Sequence, residues 1–417
     1  MIEVLRNRTY RALFGAQVIA LVGTGLLTVA LGLLAFDLAG EAAGSVLGTA
    51  LTIKMVAYVG VAPLMAALVD RLPKKAVLVG ADVLRLAIAV TLPFVTETWQ
   101  IYVLVFVLQS ASATFTPAFQ SLIPTVLPDS RDYTRALALS RLAYDLEALL
   151  SPILAAALLT VVAYNNLFLG TAVGFAASAT LVLIAAIPAH PGGSPQSTFW
   201  QRLPEGVRVF ARTPTLRFLA LANVVVAAGT ALVLVNSVVY VKAVLGLDDA
   251  ALALTLGAYG VGSLAVALNI PRLVDRFGVI RTMRAGLVVV VIGLAATSVI
   301  TLFTLATGIG WWAVIVAWAV LGAGSSLILT PSARLLADAS TSANRNLVYT
   351  AQFALSHACF LVTYPLAGWI GAANLAAAAV VLAVLALAAA VIASMTRAAR
   401  DARRHDSMSG ESAASER

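Results

Sequence analysis

Apolar runs of about 20 residues recur along almost the whole chain, and they limit what it can fold into more than any other feature. An α-helix rises about 1.5 Å per residue, so about 20 residues are needed to cross roughly 30 Å of hydrocarbon. The 417 residues are 61% hydrophobic and 11% charged, with a mean hydropathy of +0.96, against about 25% charged residues in a soluble domain. The sequence therefore predicts an all-α integral membrane protein.

The apolar runs fall into two sets of six, so we expect twelve transmembrane helices in two pseudo-symmetric six-helix bundles. The first set is predicted at residues 12–38, 45–69, 76–95, 100–123, 134–160 and 163–187. The second set is predicted at residues 215–242, 250–274, 280–303, 311–330, 346–370 and 373–396. The domains expected from this division are an N-terminal bundle over 1–187, a cytoplasmic linker over 188–213, a C-terminal bundle over 214–396 and a disordered cytoplasmic tail over 397–417.

The linker between the two sets changes character along its length. It is rich in Pro, Gly and Ser up to Pro195, and Phe199, Trp200 and Arg202 follow. Aromatic and basic residues in this arrangement predict an amphipathic helix on the cytoplasmic membrane surface, with the rings toward lipid and the arginines toward the headgroups. An unstructured linker is the alternative.

Basic residues are spread over alternate loops and form no continuous patch, although the net charge is +8. This spread argues against a nucleic-acid partner. Because cytoplasmic loops carry the excess of Lys and Arg, the pattern puts both termini in the cytoplasm, with Lys242 as the clear exception. We expect a monomeric, multi-pass protein of a bacterial inner (plasma) membrane whose partner is the lipid bilayer.

A short charged turn occurs twice, each time between two apolar runs. The copies supply Asp70, Arg71, Lys74 and Lys75 in the first half and Asp275 and Arg276 in the second. Matching turns in two hydrophobic halves indicate a parallel duplication, a design in which transporters hold their substrate at mid-membrane between the halves. At a helix end, such an acid can bind a neighbouring Arg or Lys and interact favourably with a helix N-terminus.

The turn at residues 66–75 resembles the Gly-x-x-x-Asp-Arg-x-Gly-Arg-Arg signature of the major facilitator superfamily, with Ala66 and Pro73 in place of two glycines. The turn at 275–278 is similar to the second-half copy of that signature, so the resemblance covers both halves. It implies a transporter that alternates access by rocking one half against the other. The charged turns would then form a latch that closes in one state and opens in the other.

The resemblance also sets expectations for neighbouring positions. Asp82 and Arg85, early in the third helix, are expected to belong to the same gating network, whereas a solvated turn without a gating role is the alternative. The fourth helix has no Arg at residues 107–112, where proton-coupled exporters of the superfamily often carry one. The first helix likewise has no acid at residues 23–25, so the usual proton route does not carry over to this chain.

Ionisable residues inside the predicted spans are functional candidates, because a charge at bilayer depth costs several kcal/mol unless it is paired or hydrated. Lys54 in the second helix and Asp145 and Glu147 in the fifth are predicted at similar depths, and Arg141 lies one helical turn before Asp145. We hypothesise that Lys54 pairs with one of the two carboxylates and that proton or substrate binding switches the pair. A static ion pair that fixes the second helix against the fifth is the alternative.

Other polar residues within the spans are candidates for substrate contact. His357 is the one histidine predicted at membrane depth, and Gln109 and Asn223 are polar positions that could line a cavity. A lone histidine is more often a packed core residue, which is the alternative for His357. If the protein exports a metal ion, Asp145, Glu147 and His357 are the expected oxygen and nitrogen ligands.

The stretches at residues 5–11 and 134–143 and the Ser151-Pro152 pair resemble bacterial exporters of drugs and siderophores, and also a nickel-resistance exporter branch. The resemblance implies export of a small molecule, with a proton as the expected coupling ion. Export of nickel or cobalt is the alternative, although the tail holds only His405 where that branch often carries many histidines.

Functions of other classes are less well supported by the sequence. A non-transporting receptor or scaffold would not need two gating turns. The chain has no nucleophile and base at workable spacing, so we do not expect an enzyme. It has no Gly-x-x-x-x-Gly-Lys-Ser/Thr phosphate loop and a single cysteine, Cys359, so we expect neither ATP hydrolysis nor a Cys-rich metal site, and no cofactor.

Overall fold

The computed structural model describes residues 2–61, 65, 72–187, 199–304, 309–341 and 344–396. Those residues contain no β-strand and are helical almost throughout. The first half contains α1 (Arg8–Ala39), α2 (Ala43–Val56), α3 (Lys74–Thr91), α4 (Thr98–Val126), α5 (Ser130–Leu159) and α6 (Asn165–Ile184). The second half contains α7 (Phe199–Arg212), α8 (Pro214–Val238), α9 (Asp249–Ala267), α10 (Ile270–Phe277), α11 (Val279–Val299), α12 (Gly310–Asp338), α13 (Arg345–Pro365) and α14 (Leu375–Ser394).

Within the described residues, ten helical stretches are long and apolar enough to cross a membrane. The first of them, Arg8–Val61, contains both α1 and α2, which are joined by a short turn at Gly40–Ala42. Helix α5 is not among the ten, and it is the helix whose sequence includes Asp145 and Glu147. Counting α1 and α2 separately and adding α5 gives the twelve crossings expected from the sequence, and the all-α membrane fold is confirmed.

One predicted helix is interrupted. The sequence predicted a single helix over 250–274, but α9 ends at Ala267 and the short helix α10 begins at Ile270. Pro271 lies in the first turn of α10. A proline has no backbone N–H and its ring collides with the carbonyl four residues earlier, so it begins a new helix more easily than it continues an old one.

The chain folds into two compact units. The first unit comprises Met1–Thr198 together with Val238–Gly257, and the second comprises Phe199–Ser237 together with Ala258–Arg417. The end of α8 and the first half of α9 therefore belong to the first unit, although they follow the linker in sequence.

Helix α1 lies at the centre of the first unit, between α5 and α6. Ser140 of α5 donates a hydrogen bond to Gln17 at 3.0 Å, and both side chains are buried. Thr171 of α6 donates to the carbonyl oxygen of Gly23 at 2.8 Å. Such hydrogen bonds contribute to the association of helices in a membrane, because the hydrophobic effect does not drive helices together in lipid.

In the second unit, α9 and α12 pack with their backbones in contact. A Cβ atom on Gly322 would overlap the carbonyl oxygen of Tyr259, and one on Gly262 would overlap the carbonyl oxygen of Ala319. Small residues at both crossing points are what allow this approach. The contact fixes the position of the Tyr259 backbone.

Helix α7 occupies the part of the linker where an amphipathic helix was expected. Arg208 and Arg212 are exposed, whereas Phe210 on the opposite face is buried. Gly206 lies directly against the Leu347 carbonyl of α13, where a Cβ atom would overlap it. The apolar face of α7 thus packs against protein within the second unit.

The glycine contact between α9 and α12 can be tested by adding a single methyl group. We expect Gly322→Ala to lower the apparent Tm of the purified protein by about 5 °C, because overpacking of this kind costs about 1–3 kcal/mol. Gly80→Ala is the matched control, since Gly80 lies in α3 with no atom within 4 Å of its added Cβ. An equal Tm for the two variants would contradict the backbone contact.

Candidate functional site

The first unit holds a cation and an anion at membrane depth. Lys54 lies 11 residues after the start of α2 at Ala43, and Glu147 lies 12 residues before the end of α5 at Leu159. At about 1.5 Å per residue, both are about 17–18 Å from the end of the unit where α2 begins and α5 ends. The two partly buried side chains interact electrostatically. The structure therefore brings together Lys54 and Glu147, one of the two α5 carboxylates considered as its partner.

Helices α1 and α5 pack closely beside this pair. A Cβ atom on Gly25 of α1 would overlap the side chain of Ser151 and would lie 3.0 Å from a carboxylate oxygen of Glu147. The hydroxyl of Ser151 is buried and has no hydrogen-bond partner among the described residues. An unsatisfied buried hydroxyl beside a carboxylate is costly, and it marks a place where a proton, water or ligand could bind.

The helix that carries Lys54 changes its geometry directly after that residue. The N–H of Ala57 bonds to the carbonyl oxygens of both Ile53 and Lys54, and a π-helical turn runs over Ala57–Val61. Turns of this type are frequent at functional sites in α-helices. Its position supports a functional role for the pair.

The other intramembrane candidates are described only in part. The side chains of Arg141 and Asp145 lie outside the described part of the structure. Gln109 of α4 is buried, and its side-chain oxygen has no hydrogen-bond partner among the described residues. In the second unit, Asn223 of α8 donates to Gln352 at 3.2 Å.

His357 interacts within its own helix, α13. Its Nδ1 atom is 2.7 Å from the carbonyl oxygen of Phe353, and its ring lies 4.2 Å from the Phe353 ring. Among the described residues, no three His, Cys, Asp or Glu side chains come together in a way that could hold a metal ion. The predicted ligand set of Asp145, Glu147 and His357 therefore receives no support, and Asp145 lies outside the described side chains.

The predicted gating turns are described only in part. Asp70 and Arg71 lie outside the described residues. Lys74 is buried at the start of α3, and Lys75 donates a hydrogen bond to the carbonyl oxygen of Ala185 at 3.0 Å.

The second copy of the turn is fully described. Asp275 and Arg276 are exposed at the end of α10, with the Arg276 guanidinium 5.2 Å from the ring centre of Phe277.

Asp82 and Arg85 form a buried ion pair inside the first unit. Asp82 also accepts a hydrogen bond from Ser178 of α6 at 2.7 Å. The Arg85 guanidinium lies between the rings of Phe115 and Phe175, 4.5 and 4.6 Å from their centres. Cation–π contacts of a desolvated guanidinium are worth about 2 kcal/mol. The pair thus joins α3 to α4 and α6.

A second polar cluster lies at the end of the first unit where α1 ends. Tyr164 donates a hydrogen bond to Asp37, and Lys242 donates to Asp249 at 2.5 Å while lying 5.7 Å from the ring centre of Phe36. Burial, followed by the hydrogen bond to Asp37 and the charges of Asp37 and Asp249, raises the pKa of Tyr164 above its ordinary value. Its hydroxyl therefore remains a donor at neutral pH.

This cluster was not predicted from the sequence. The available signal was Lys242, the one basic residue that broke the charge pattern of the loops. A lysine placed against the topology rule needs a local partner, and Asp249 is only seven residues further along the chain.

The chain matches one protein family along most of its length. The family profile described as Major Facilitator Superfamily matches residues 13–297 and 219–415. Macrolide efflux protein A of Streptococcus pyogenes is 24% identical over 222 residues, which are 51% of this chain and 54% of that protein. The chain thus spans about half the length of the curated relatives that it matches.

Solved structures resemble the chain over nearly its full length. A POT family transporter in complex with a thioalcohol-conjugated peptide has a TM-score of 0.71 at 13% identity, covering 92% of this chain and 95% of that one. The nucleoside transporter NupG has a TM-score of 0.64 at 14% identity, covering 92% and 97%. A bacterial homolog to the human lysosomal transporter Spinster has a TM-score of 0.66 at 13% identity, covering 92% and 95%. These likenesses concern the fold.

The environment of Asp82 predicts a structural effect when its charge is removed. We expect Asp82→Asn to destabilise the protein by about 3–5 kcal/mol, because it leaves the Arg85 cation buried without its counter-charge. The measurement is the yield of monodisperse protein in size-exclusion chromatography. Adding Arg85→Met should restore part of the yield, and Asp338→Asn, at an exposed helix end, is the control. A normal yield for Asp82→Asn would contradict this role.

The ion pair between Lys242 and Asp249 should restrain the turn between α8 and α9. Its side chains are 20% and 31% exposed, so the pair is worth about 0.2–1 kcal/mol. We expect Lys242→Gln to speed backbone hydrogen exchange between residues 242 and 252 by about two- to fivefold, measured by mass spectrometry. Arg212→Gln, which changes an exposed residue of α7, should leave that exchange unchanged. Equal rates in Lys242→Gln and the unmodified protein would mean that the pair does not restrain the turn.

Proposed function

The chain belongs to the major facilitator superfamily, and on that premise we propose that it exports a lipophilic small molecule across the membrane in exchange for protons. The protein is a transporter and not an enzyme. The finer parts of the proposal are the direction, the coupling ion and the substrate, and each rests on its own argument.

The pairing of Lys54 with Glu147 is the observation that carries the coupling proposal. A proton that binds to Glu147 removes the negative charge and leaves Lys54 without a counter-charge. A buried cation that has lost its partner is strongly destabilising, so protonation favours a different packing of α2 against α5. The first unit can therefore exist in two arrangements that depend on a proton, which is what an ion-coupled transporter requires.

Glu147 is the better candidate of the two acids in α5. Its carboxylate lies beside Gly25 and the unpartnered hydroxyl of Ser151, so a proton acceptor and a polar neighbour are already in place. Asp145 is kept as a second candidate, with Arg141 one turn away as its partner. In this proposal Gln109 and Asn223 are polar contacts for the substrate.

The substrate class and the direction follow from the relatives. Macrolide efflux protein A is named for export of macrolides, which supports outward transport of lipophilic antibiotics by this chain. We include siderophore-like molecules in the same class. Export of nickel or cobalt is not retained, because nothing in the described residues favours a metal-binding cluster.

The remaining features of the proposal concern the setting. We propose a monomer in a bacterial plasma membrane with both termini in the cytoplasm. The charged turns that contain Asp70, Arg71, Asp275 and Arg276, with Lys74 and Lys75, act there as a latch. Asp82 and Arg85 support that latch by holding α3 in place.

Transport in inverted membrane vesicles tests the coupling. With an imposed pH gradient, acid inside, vesicles that contain the protein should accumulate radiolabelled erythromycin above the level of vesicles without it. We expect Glu147→Gln to abolish gradient-driven accumulation while erythromycin exchange at equal pH continues, because only the proton-linked step is lost. Glu205→Gln is the matched control, since it removes an exposed carboxylate of α7.

Two results would contradict the proposal in different ways. Full gradient-driven accumulation by both Glu147→Gln and Asp145→Asn would mean that the α5 carboxylates hold helices together and do not couple transport. Accumulation of no macrolide by the unmodified protein, despite normal folding, would remove macrolides as the substrate class.

A further inference from the structure

We propose that four hydroxyl groups at mid-depth of the second unit form a subsite for an uncharged, oxygen-rich part of the transported molecule. The groups belong to Thr230, Tyr259, Ser325 and Tyr364. This inference rests on the proposed function, and it adds the side chains that would recognise the molecule and the chemistry that they would select.

The four hydroxyls come from four different helices, and the other three surround the hydroxyl of Tyr259. The hydroxyl of Thr230 on α8 is 3.1 Å from that of Tyr259 on α9. Ser325 on α12 lies close enough to Tyr259 for the two hydroxyls to interact, and Tyr364 on α13 interacts electrostatically with Tyr259. Residues far apart in sequence therefore place their polar atoms at one location.

The cluster lies where a transporter binds its substrate. Thr230, Tyr259 and Ser325 are each within one residue of the midpoint of their membrane spans, Pro214–Val244, Asp249–Ala267 and Gly310–Asp338. Tyr364 is four residues beyond the midpoint of Leu347–Ala373, which is about 6 Å along the helix. Transporters with duplicated halves hold their substrates at this depth.

The hydrogen bonds of the cluster are incomplete. The Ser325 side chain is 2% exposed, and although it lies near Tyr259 its hydroxyl makes no hydrogen bond of acceptable geometry with any described residue. Thr230 and Tyr259 are only partly buried as whole residues. A cluster that served only to join helices would be expected to satisfy its buried hydroxyls. The unpartnered Ser325 points to a missing partner.

The backbone around the cluster is held rigidly. Tyr259 is fixed by the contact of its carbonyl with Gly322, and Gly262 makes the reciprocal contact with α12. Two turns before Ser325, the indole of Trp318 donates to Ser237 of α8 at 2.7 Å. A site whose supporting elements are locked in place keeps its geometry without a ligand, which reduces the cost of binding.

The charge distribution of the second unit indicates which ligand groups fit. Within the membrane spans of its described part, every Asp, Glu, Lys and Arg lies within five residues of a span end. They are Arg217, Arg281, Arg284, Arg334 and Asp338.

Hydroxyls both donate and accept hydrogen bonds, so they match the hydroxyl, ether and carbonyl oxygens of a neutral group. A charged ligand group would find no counter-charge among them and would be costly to bury. In this proposal the charged residues Lys54 and Glu147 belong to the first unit, and the neutral oxygen atoms of the ligand bind to hydroxyls of the second unit.

Equilibrium binding of tritiated erythromycin to the full-length protein in lipid nanodiscs tests the subsite. This macrolide carries several hydroxyl and carbonyl oxygens. We expect Tyr259→Phe and Thr230→Val each to raise the Kd about fivefold, which corresponds to the loss of one neutral hydrogen bond. Tyr349→Phe is the matched control, because this tyrosine of α13 is 43% exposed, and its Kd should not change.

The apparent Tm of each variant separates binding from folding. If Tyr259→Phe fails to fold, Thr230→Val and Tyr364→Phe provide the test, since neither removes the central tyrosine. A lowered Tm with unchanged Kd in the folded variants would show that the hydroxyls only join helices, and would overturn the inference.

The same assay distinguishes failure of this inference from failure of the proposed function. If the unmodified protein binds erythromycin and loses no affinity in any hydroxyl variant, the subsite is wrong while macrolide export survives. If it binds no erythromycin, both the substrate class and the subsite are wrong. Glu205→Gln, which removes an exposed carboxylate of α7, should keep its erythromycin affinity within about twofold.

Discussion

An ionised side chain in a bilayer is costly unless it is paired or hydrated, and this constraint organises the first unit. Lys54 and Glu147 lie at similar depths, and the attraction between them offsets part of the cost of burying each charge. Gly25 allows α5 to approach α1 closely, so that a Cβ atom at this position would overlap Ser151 and lie 3.0 Å from the Glu147 carboxylate. The attraction between the two side chains, the packing of three helices and the proposed response to protons are therefore aspects of a single arrangement.

The second unit solves the opposite problem, since its charged residues stay near the ends of its spans. Its polar groups at mid-depth are neutral and converge around Tyr259 from four helices. The backbone of Tyr259 packs directly against Gly322, so this glycine determines the position of the tyrosine and of its hydroxyl group. The two units thus differ in the chemistry that they can offer, although both consist of the same kind of helix.

The sequence predicted the all-α membrane fold, because length and hydropathy determine which segments cross a membrane. It did not predict which side chains meet. Most residues of α8 and α9 are apolar, so hydropathy carries no information about the rotation of these helices, and Thr230 and Tyr259 could not be paired in advance. Asp82 and Arg85 were singled out through the family resemblance, but the rings of Phe115 and Phe175 that enclose the cation come from distant segments.

The π-helical turn after Lys54 has a consequence for how this part of α2 can move. Such a turn accommodates one residue more than an ordinary α-helical turn, so the segment holds a surplus residue beside the lysine. If the extra residue shifted along the helix past Lys54, the lysine would rotate by about 100° relative to the residues on the far side of the turn. Only a few backbone hydrogen bonds would have to break. A register slip of one position is thus enough to swing an ammonium group toward a carboxylate or away from it.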